Sequence, residues 1–287
     1  LVQPMVLFAT ENRLYAIDMA YTRVASMDAA NGQVLWYAGR PGSGPGEFRA
    51  PLFAGEQDGH LVLWDRDVRR LSYLKYDGDF ASSRSVSAKG LTYKICLLKD
   101  DQAITTVEAS DSLLIRNIDV TSGATRETHP LPWPAYQGLP SIAAQQMLIS
   151  TPDGCLAAPA YGSALARYDL RGALRDTIHL VEQMLPPAAV RKKEGAGVRS
   201  RLPDGVVQGV IALAQLQSYV VVAFGGASAL SRQIIDFYFL DSGTYAGSLA
   251  TDNPISTMSG RGDMLYVLTE NDEGYFHLEA LRLAPRR

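Results

Sequence analysis

Carboxylates that recur along the chain are the residues whose types and spacing could support chemistry. Each ends a short apolar run of the kind that is typical of a β-strand. They are Asp18, Asp65, Glu108 and Glu270. If strands brought these oxygens together at one point, they could hold Ca²⁺. Two corresponding apolar runs end at Pro159 and Phe224 instead, which leaves such a ring of ligands incomplete.

Other catalytic patterns are weaker. The sequence has no G-x-S-x-G nucleophile elbow. The glycines between Gly39 and Gly46 are followed by no Lys-Ser or Lys-Thr pair that would hold a phosphate. The histidines are widely separated along the chain: His60, His129, His179 and His277. We therefore predict no catalytic residue, no cofactor and no metal ligand, and we expect the protein not to be an enzyme.

The two cysteines, Cys96 and Cys155, are too few for a disulfide scaffold. They also lack the C-x-x-C spacing of zinc sites and the C-x-x-C-H spacing of covalent haem attachment. Each lies in an apolar, strand-like segment, where a buried thiol is expected. A disulfide between them is the alternative, and the sequence leaves both this choice and the redox compartment open.

Composition indicates a soluble globular protein. The 287 residues are 47% hydrophobic and 20% charged, and the formal net charge of -3 gives no general reason to expect nucleic-acid binding. One stretch, 206–231, has no charged residue and is long enough to span a bilayer. Its glutamines, its Gly225-Gly226 pair and its β-branched run YVVVAF favour two buried strands, so we predict no transmembrane segment.

Turns rich in Asp and Gly divide the chain into units. Asp can bond to its own backbone in a tight turn, and Gly accepts the positive φ that hairpins require. The turns lie about 40 to 70 residues apart, and each follows an alternating, strand-like stretch. They are 28–32, 77–78, 119–123, 169–172 and 241–243. With a final strand-like segment, YFHLEALRLA, they indicate six units.

The clearest unit runs from Gly39 to Gly78 and contains GxGPGEFxxP followed by DGxLxxxDxxxRRLxxLxxDG. This phrase resembles the NHL-type six-bladed β-propeller repeat, and the layout is similar to that of exported bacterial six-bladed propeller proteins. The resemblance implies an all-β fold of six four-stranded antiparallel blades. It also implies that the Asp ending the second strand stabilises a turn by accepting backbone hydrogen bonds.

On this basis we predict one propeller domain over residues 1–287. The blades are expected at about 4–40, 49–88, 91–130, 139–181, 206–250 and 255–285, with an inserted loop at 182–205. The last unit offers three strands. Because an open ring would expose strand edges, we expect the N-terminus, near Leu1 to Gln3 or just upstream, to complete the last blade.

The insertion carries the basic residues Arg191, Lys192, Lys193, Arg199 and Arg201. On an acidic protein this cluster could contact a carboxylate-rich partner or an anionic membrane surface. The alternative is a mobile, solvated loop, since the segment is longer than usual connections.

A second departure from the repeat is the segment 129–136, HPLPWPAY. Its prolines stiffen the chain, and Trp133 and Tyr136 offer apolar area of the kind that is enriched at protein interfaces. The alternative is a connection between blades in which Trp133 packs over a blade edge.

Taken together, these features favour a non-catalytic protein-interaction module. We expect a periplasmic accessory subunit at the periphery of a larger membrane-associated complex, for example respiratory or photosynthetic, with other protein subunits as partners and no nucleic acid. The start at Leu1 without an initiator Met suits a processed export product or a trimmed chain. The alternatives are a metal-dependent propeller hydrolase or lyase with an axial site, and a small-ligand or glycan sensor.

Overall fold

The computed structural model describes residues 1–87, 91–109, 112–194, 197–227 and 230–283, with side chains left undescribed at 91–93, 109, 112, 190–194 and 197–199. Its strands form six antiparallel sheets, the blades, which surround a central axis. The prediction of an all-β six-bladed propeller is therefore confirmed. Among the described residues the helical element is one 3-10 turn, Pro134–Tyr136.

The strands follow in chain order. Blade 1 contains β1 (Pro4–Ala9), β2 (Arg13–Asp18), β3 (Arg23–Asp28) and β4 (Val34–Ala38), followed by the short parallel pair β5 (Arg40–Pro41) and β6 (Glu47–Phe48). Blade 2 contains β7 (Pro51–Gln57), β8 (His60–Asp65), β9 (Arg70–Lys75) and β10 (Phe80–Ser85). Blade 3 contains β11 (Leu91–Leu97), β12 (Gln102–Ala109), β13 (Ser112–Asp119) and β14 (Thr125–Pro130).

Blade 4 contains β15 (Gln146–Thr151), β16 (Gly154–Pro159), β17 (Ala164–Tyr168) and β18 (Leu174–His179). The insertion forms a separate hairpin of β19 (Val190–Glu194) and β20 (Gly197–Arg201). Blade 5 contains β21 (Val210–Gln215), β22 (Tyr219–Phe224), β23 (Ile234–Phe239) and β24 (Tyr245–Ala250). Blade 6 contains β25 (Ile255–Arg261), β26 (Met264–Glu270) and β27 (Phe276–Arg282).

Burial is high in the second strands and lowest in the outer, fourth strands. Second strands such as β8 and β22 are almost entirely buried, because a neighbouring blade covers each face. The fourth strand β14 is exposed along its whole length. The uncharged stretch 206–231 contributes β21 and β22 rather than a helix. In the described part of the chain no helix is long and apolar enough to span a membrane.

The ring closes through its first strands, which contact one another in the order β1, β7, β11, β15, β21, β25 and back to β1. At the last junction the Ala9 N–H donates a hydrogen bond to the Ser259 hydroxyl at 2.9 Å. We call the end at which the first strands begin the loop face, because the connections between blades lie there. The opposite end, where turns join first to second strands, is the hairpin face.

The N-terminus does not complete the last blade at the predicted residues. In the described residues blade 6 has three strands, and β27 pairs with β26 alone. The Asp18 carboxylate instead accepts the N–H groups of Val2 and Gln3, at 3.3 and 3.1 Å. The Gln3 carbonyl also accepts the Met19 N–H at 3.0 Å, which holds residues 1–3 at the start of blade 1. The other possibility, a strand just upstream of Leu1, stays a prediction.

Cys96 and Cys155 form a disulfide, so the expectation of two buried thiols is wrong. The bond joins β11 of blade 3 to β16 of blade 4, and both cysteines are buried. Two strands of neighbouring sheets bring the Cα atoms to 6.3 Å, within the range that a disulfide can bridge. Since the cysteines are 59 residues apart in the sequence, the bond restricts a long loop of the unfolded chain.

Replacing both cysteines, as Cys96→Ala with Cys155→Ala, should lower the free energy of unfolding. Loop-closure entropy for this separation predicts a loss of about 4 kcal/mol. Denaturant unfolding of the oxidised wild type and the double variant measures the difference. A reducing agent should lower the midpoint of the wild type and leave that of the double variant unchanged. Equal midpoints for the two oxidised proteins would contradict the prediction.

Candidate functional site

Three of the four carboxylates that ended the predicted second strands occupy one structural position. In each blade this residue pairs with the first residue of the first strand, at the loop face. The residues at this position are Asp18, Asp65, Glu108, Pro159, Phe224 and Thr269. Glu270 lies one residue beyond it. Three of the six positions therefore carry a carboxylate.

The buried carboxylates Asp18 and Asp65 direct their oxygens at backbone amides. Asp65 accepts the N–H groups of Arg49 and Ala50, at 2.7 and 3.3 Å, from the segment that leads into blade 2. It also accepts those of Asp67 and Val68 in the following turn, at 3.2 and 3.4 Å. Asp18 bonds to the corresponding segment of blade 1. Their role is therefore to fix the chain where it enters a blade.

Metal binding gains no geometric support from these residues. Across the described ranges no group of three or more His, Cys, Asp or Glu side chains is arranged to hold a metal ion. Glu108 accepts a hydrogen bond from the Ser141 hydroxyl at 2.7 Å. The carboxylates of Asp18, Asp65 and Glu108 thus each bind a nearby protein group.

The aromatic segment does not form the exposed patch considered from the sequence. Trp133 and Tyr136 are each only 5% exposed and belong to the core between blades 3 and 4. Their rings meet edge to face at 6.4 Å, and the Tyr136 hydroxyl donates to the Tyr161 carbonyl at 2.8 Å. Their placement matches the alternative, in which the segment is a connection that packs against the blades. The sequence could not show this because exposure here depends on the neighbouring blade.

The basic insertion, by contrast, forms a defined element. Its hairpin pairs Val190 with Arg201 at one end and Glu194 with Gly197 at the other. Arg201 is exposed. The side chains of Arg191, Lys192, Lys193 and Arg199 lie outside the described residues, although their backbone lies in β19 and β20. The structure therefore places the five basic residues of the predicted contact set on one two-stranded arm.

Both ends of the insertion are held to the ring. On one side the Val181 N–H donates to the Tyr238 hydroxyl at 3.0 Å, and the Met184 N–H donates to the Ser163 hydroxyl at 3.0 Å. On the other side the Gly209 N–H donates to the Ala160 carbonyl at 2.8 Å. The insertion thus leaves and re-enters the loop face at the junction of blades 4 and 5.

The central channel is a concave feature that runs along the axis of the ring. It encloses about 320 Å³ and is lined by the first strands of all six blades. Most of its wall is apolar, with Phe8, Phe53, Leu97, Met147 and Ile149 among the lining residues. Polar and charged groups lie near the hairpin face: Glu56, Lys99, Gln215 and Arg261.

Lys94 was not identified from the sequence, yet it lies in this apolar wall. Its side chain is half-buried, and its ammonium lies 3.6 Å from the Met147 sulfur. Burial lowers the pKa of the Lys94 ammonium from its usual range to about 8, because the surrounding protein replaces water that would stabilise the charge. The available signal was a lysine inside the strand-like run TYKICLL.

Comparison with solved structures places the chain among β-propellers. A Bacteroides fragilis protein that is thought to be exported aligns with a TM-score of 0.61 at 10% identity, covering 98% of this chain and 91% of that one. The Neurospora crassa Pan2 WD40 domain aligns with a TM-score of 0.52 at 12% identity, over 96% and 75% of the two chains. A streptogramin B lyase aligns with a TM-score of 0.52 at 10% identity, over 99% and 84%.

At these identities the alignments show a shared fold and nothing finer. The neighbours include both a WD40 domain and an enzyme, so they do not separate a scaffold from a catalyst. No protein-family model and no curated protein matches the sequence.

Replacing Asp65 with alanine should destabilise the protein strongly, because four backbone N–H groups lose their acceptor. We expect a loss of about 2 kcal/mol or more in the free energy of unfolding. Asp67→Ala is the matched control, since Asp67 is exposed and forms a surface ion pair with Arg66. That variant should lose less than about 1 kcal/mol. Equal losses in denaturant unfolding would show that Asp65 does not fix the blade.

Proposed function

We propose that the protein is a non-catalytic, extracytoplasmic interaction module that docks onto an acidic surface of another subunit in a membrane-associated assembly. The hairpin β19–β20 provides the contact. The observation that carries the proposal is this arm, which is separate from the six blades and rooted at both ends. The affiliation with NHL-type propellers is part of the same proposal.

Charge supports an acidic partner. Residues 191–201 contain five basic residues and one acidic residue, whereas the whole chain has a formal net charge of -3. A local positive patch on an acidic protein orients it toward a negative partner during encounter and disfavours approach by its other surfaces. This distribution explains why docking through the hairpin would have a defined orientation.

Apolar exposure next to the arm supports a protein partner. Val181 is 54% exposed and Leu185 is 89% exposed, both in the segment that leads to β19. Protein interfaces combine an apolar centre with a polar rim. Binding also orders side chains and loops, and this ordering has an entropic cost. The anchored ends of the insertion reduce the backbone part of that cost.

The disulfide supports an oxidising compartment. Such bonds persist in secreted and periplasmic proteins and are rare where cytosolic thiols are kept reduced. Similarity in fold to a protein that is thought to be exported agrees with this location. For the hydrolase or lyase alternative we find no comparable support, since the carboxylates Asp18 and Asp65 already bind backbone amides.

Cross-linking in native membranes with a carbodiimide, which activates carboxylates so that lysine amines form amide bonds with them, tests the proposal. We expect cross-links from Lys192 and Lys193 to acidic segments of another subunit. Lys75, which is exposed near the hairpin face, should give none to that subunit. Lys192→Glu with Lys193→Glu should abolish co-purification of the cross-linked subunit, because the arm then repels an acidic surface.

The matched control replaces two arginines near the hairpin face, as Arg171→Glu with Arg175→Glu. Both are exposed, and this variant should retain the partner. Recovery of the free protein alone from native membranes would contradict the proposal. Partner cross-links at Lys75 in place of Lys192 and Lys193 would contradict it equally.

A further inference from the structure

Lys94 is the charged member of an otherwise uncharged layer of the channel. Lys94 occupies the same position, counted back from the turn between the first and second strands, as one residue on each of the other five first strands. Those residues are Val6, Phe53, Met147, Ala212 and Thr257. A basic residue at this depth stands out because a buried charge without a partner is costly.

No protein group in the described residues neutralises this ammonium. The Lys94 ammonium contacts the Met147 thioether, which is a weak hydrogen-bond acceptor. The other charged groups that line the channel are Glu56 on β7, Lys99 after β11 and Arg261 at the end of β25. Glu56 is already engaged, since it accepts the Tyr76 hydroxyl at 2.7 Å and pairs with Arg261 at 3.6 Å.

We propose that the channel is a binding site for a small apolar carboxylate, whose carboxylate pairs with the Lys94 ammonium and whose hydrocarbon part contacts the apolar wall. A cavity of about 320 Å³ is at the small end of ligand pockets. Apolar side chains combined with a small number of polar and charged groups are typical of such sites. The carboxylate supplies the strong acceptor that the protein does not supply.

The hairpin-face end of the channel carries charges of both signs, since Glu56 also lines it. Lys99 is exposed and Arg261 is partly exposed near the hairpin face, where the channel ends. The apolar wall beyond this end favours the hydrocarbon part of the ligand. This site is independent of the hairpin β19–β20, which leaves the ring at the loop face.

Isothermal titration calorimetry with octanoate and with the uncharged 1-octanol tests the assignment on the full chain. The variants are Lys94→Met, which keeps an unbranched apolar side chain, and Lys99→Met as the control near the channel end. Lys94→Met should weaken octanoate binding by about tenfold or more, because a charge-assisted hydrogen bond is lost. It should leave 1-octanol binding unchanged, and Lys99→Met should bind octanoate nearly as the wild type does.

The pH dependence supplies a second test that does not depend on a variant. The wild type should bind octanoate most tightly below pH 8, where Lys94 is protonated, and its affinity should fall as the pH rises toward 10. The same series on Lys99→Met should retain the decrease, whereas Lys94→Met should show none.

Thermal unfolding verifies that Lys94→Met is folded. The lowered pKa of Lys94 means that the folded protein holds this charge at a cost below pH 8, and the cost is relieved as the pH rises above 8. Lys94→Met should therefore melt at a higher temperature than the wild type at pH 7, with a smaller difference at pH 10. Unchanged octanoate affinity in Lys94→Met, no pH dependence in the wild type, or no measurable octanoate binding by the wild type would overturn the proposal.

Discussion

Burial of apolar side chains between neighbouring blades is the constraint on which the rest of this structure depends. A single twisted sheet of four short strands cannot cover both of its faces, so each blade needs another on either side. The described core is divided accordingly into six clusters, one at each junction between blades. The cluster shared by blades 1 and 6 closes the ring, and it joins Leu14 and Met27 to Tyr266 and Leu268.

Two kinds of interaction hold the blades and their connections in place. Buried carboxylates such as Asp65 bind the chain where it enters a blade, so the connection cannot slide relative to the second strand. The disulfide joins blades 3 and 4 covalently. Both act near the core and leave the outer strands and the insertion free to vary. A rigid ring of this kind can present an arm on one face and a ligand channel along its axis, and the two sites need not share a residue.

The sequence predicted the architecture because the repeat is local. Asp-Gly turns and alternating strands are encoded within a few residues, and the clearest copy, Gly39 to Gly78, contains the first three strands of blade 2. Features that depend on contacts between blades were harder to predict. Cys96 and Cys155 belong to different sheets, so their pairing follows from how two blades pack. Trp133 suggested an interface by residue type, but its burial is decided by the blade beside it.

Lys94 illustrates the same limit for the candidate site. A lysine in an apolar strand is visible in the sequence, but its significance depends on the register of six strands around one channel. Residues 1–3 were misplaced for a related reason. The need to cover a strand edge is general, whereas the hydrogen bonds from Val2 and Gln3 to Asp18 are particular to the three-dimensional arrangement.

Hydrogen exchange of the protein, isolated and bound in native membranes, tests the central claim of a rigid ring with a docking arm most directly. The account predicts that the second strands of all six blades exchange slowest in both states, because they lie in the junction cores. It predicts fast exchange of β19 and β20 in the isolated protein and clear protection of the same amides in membranes. Unchanged exchange of the hairpin, together with new protection at the hairpin face, would contradict it.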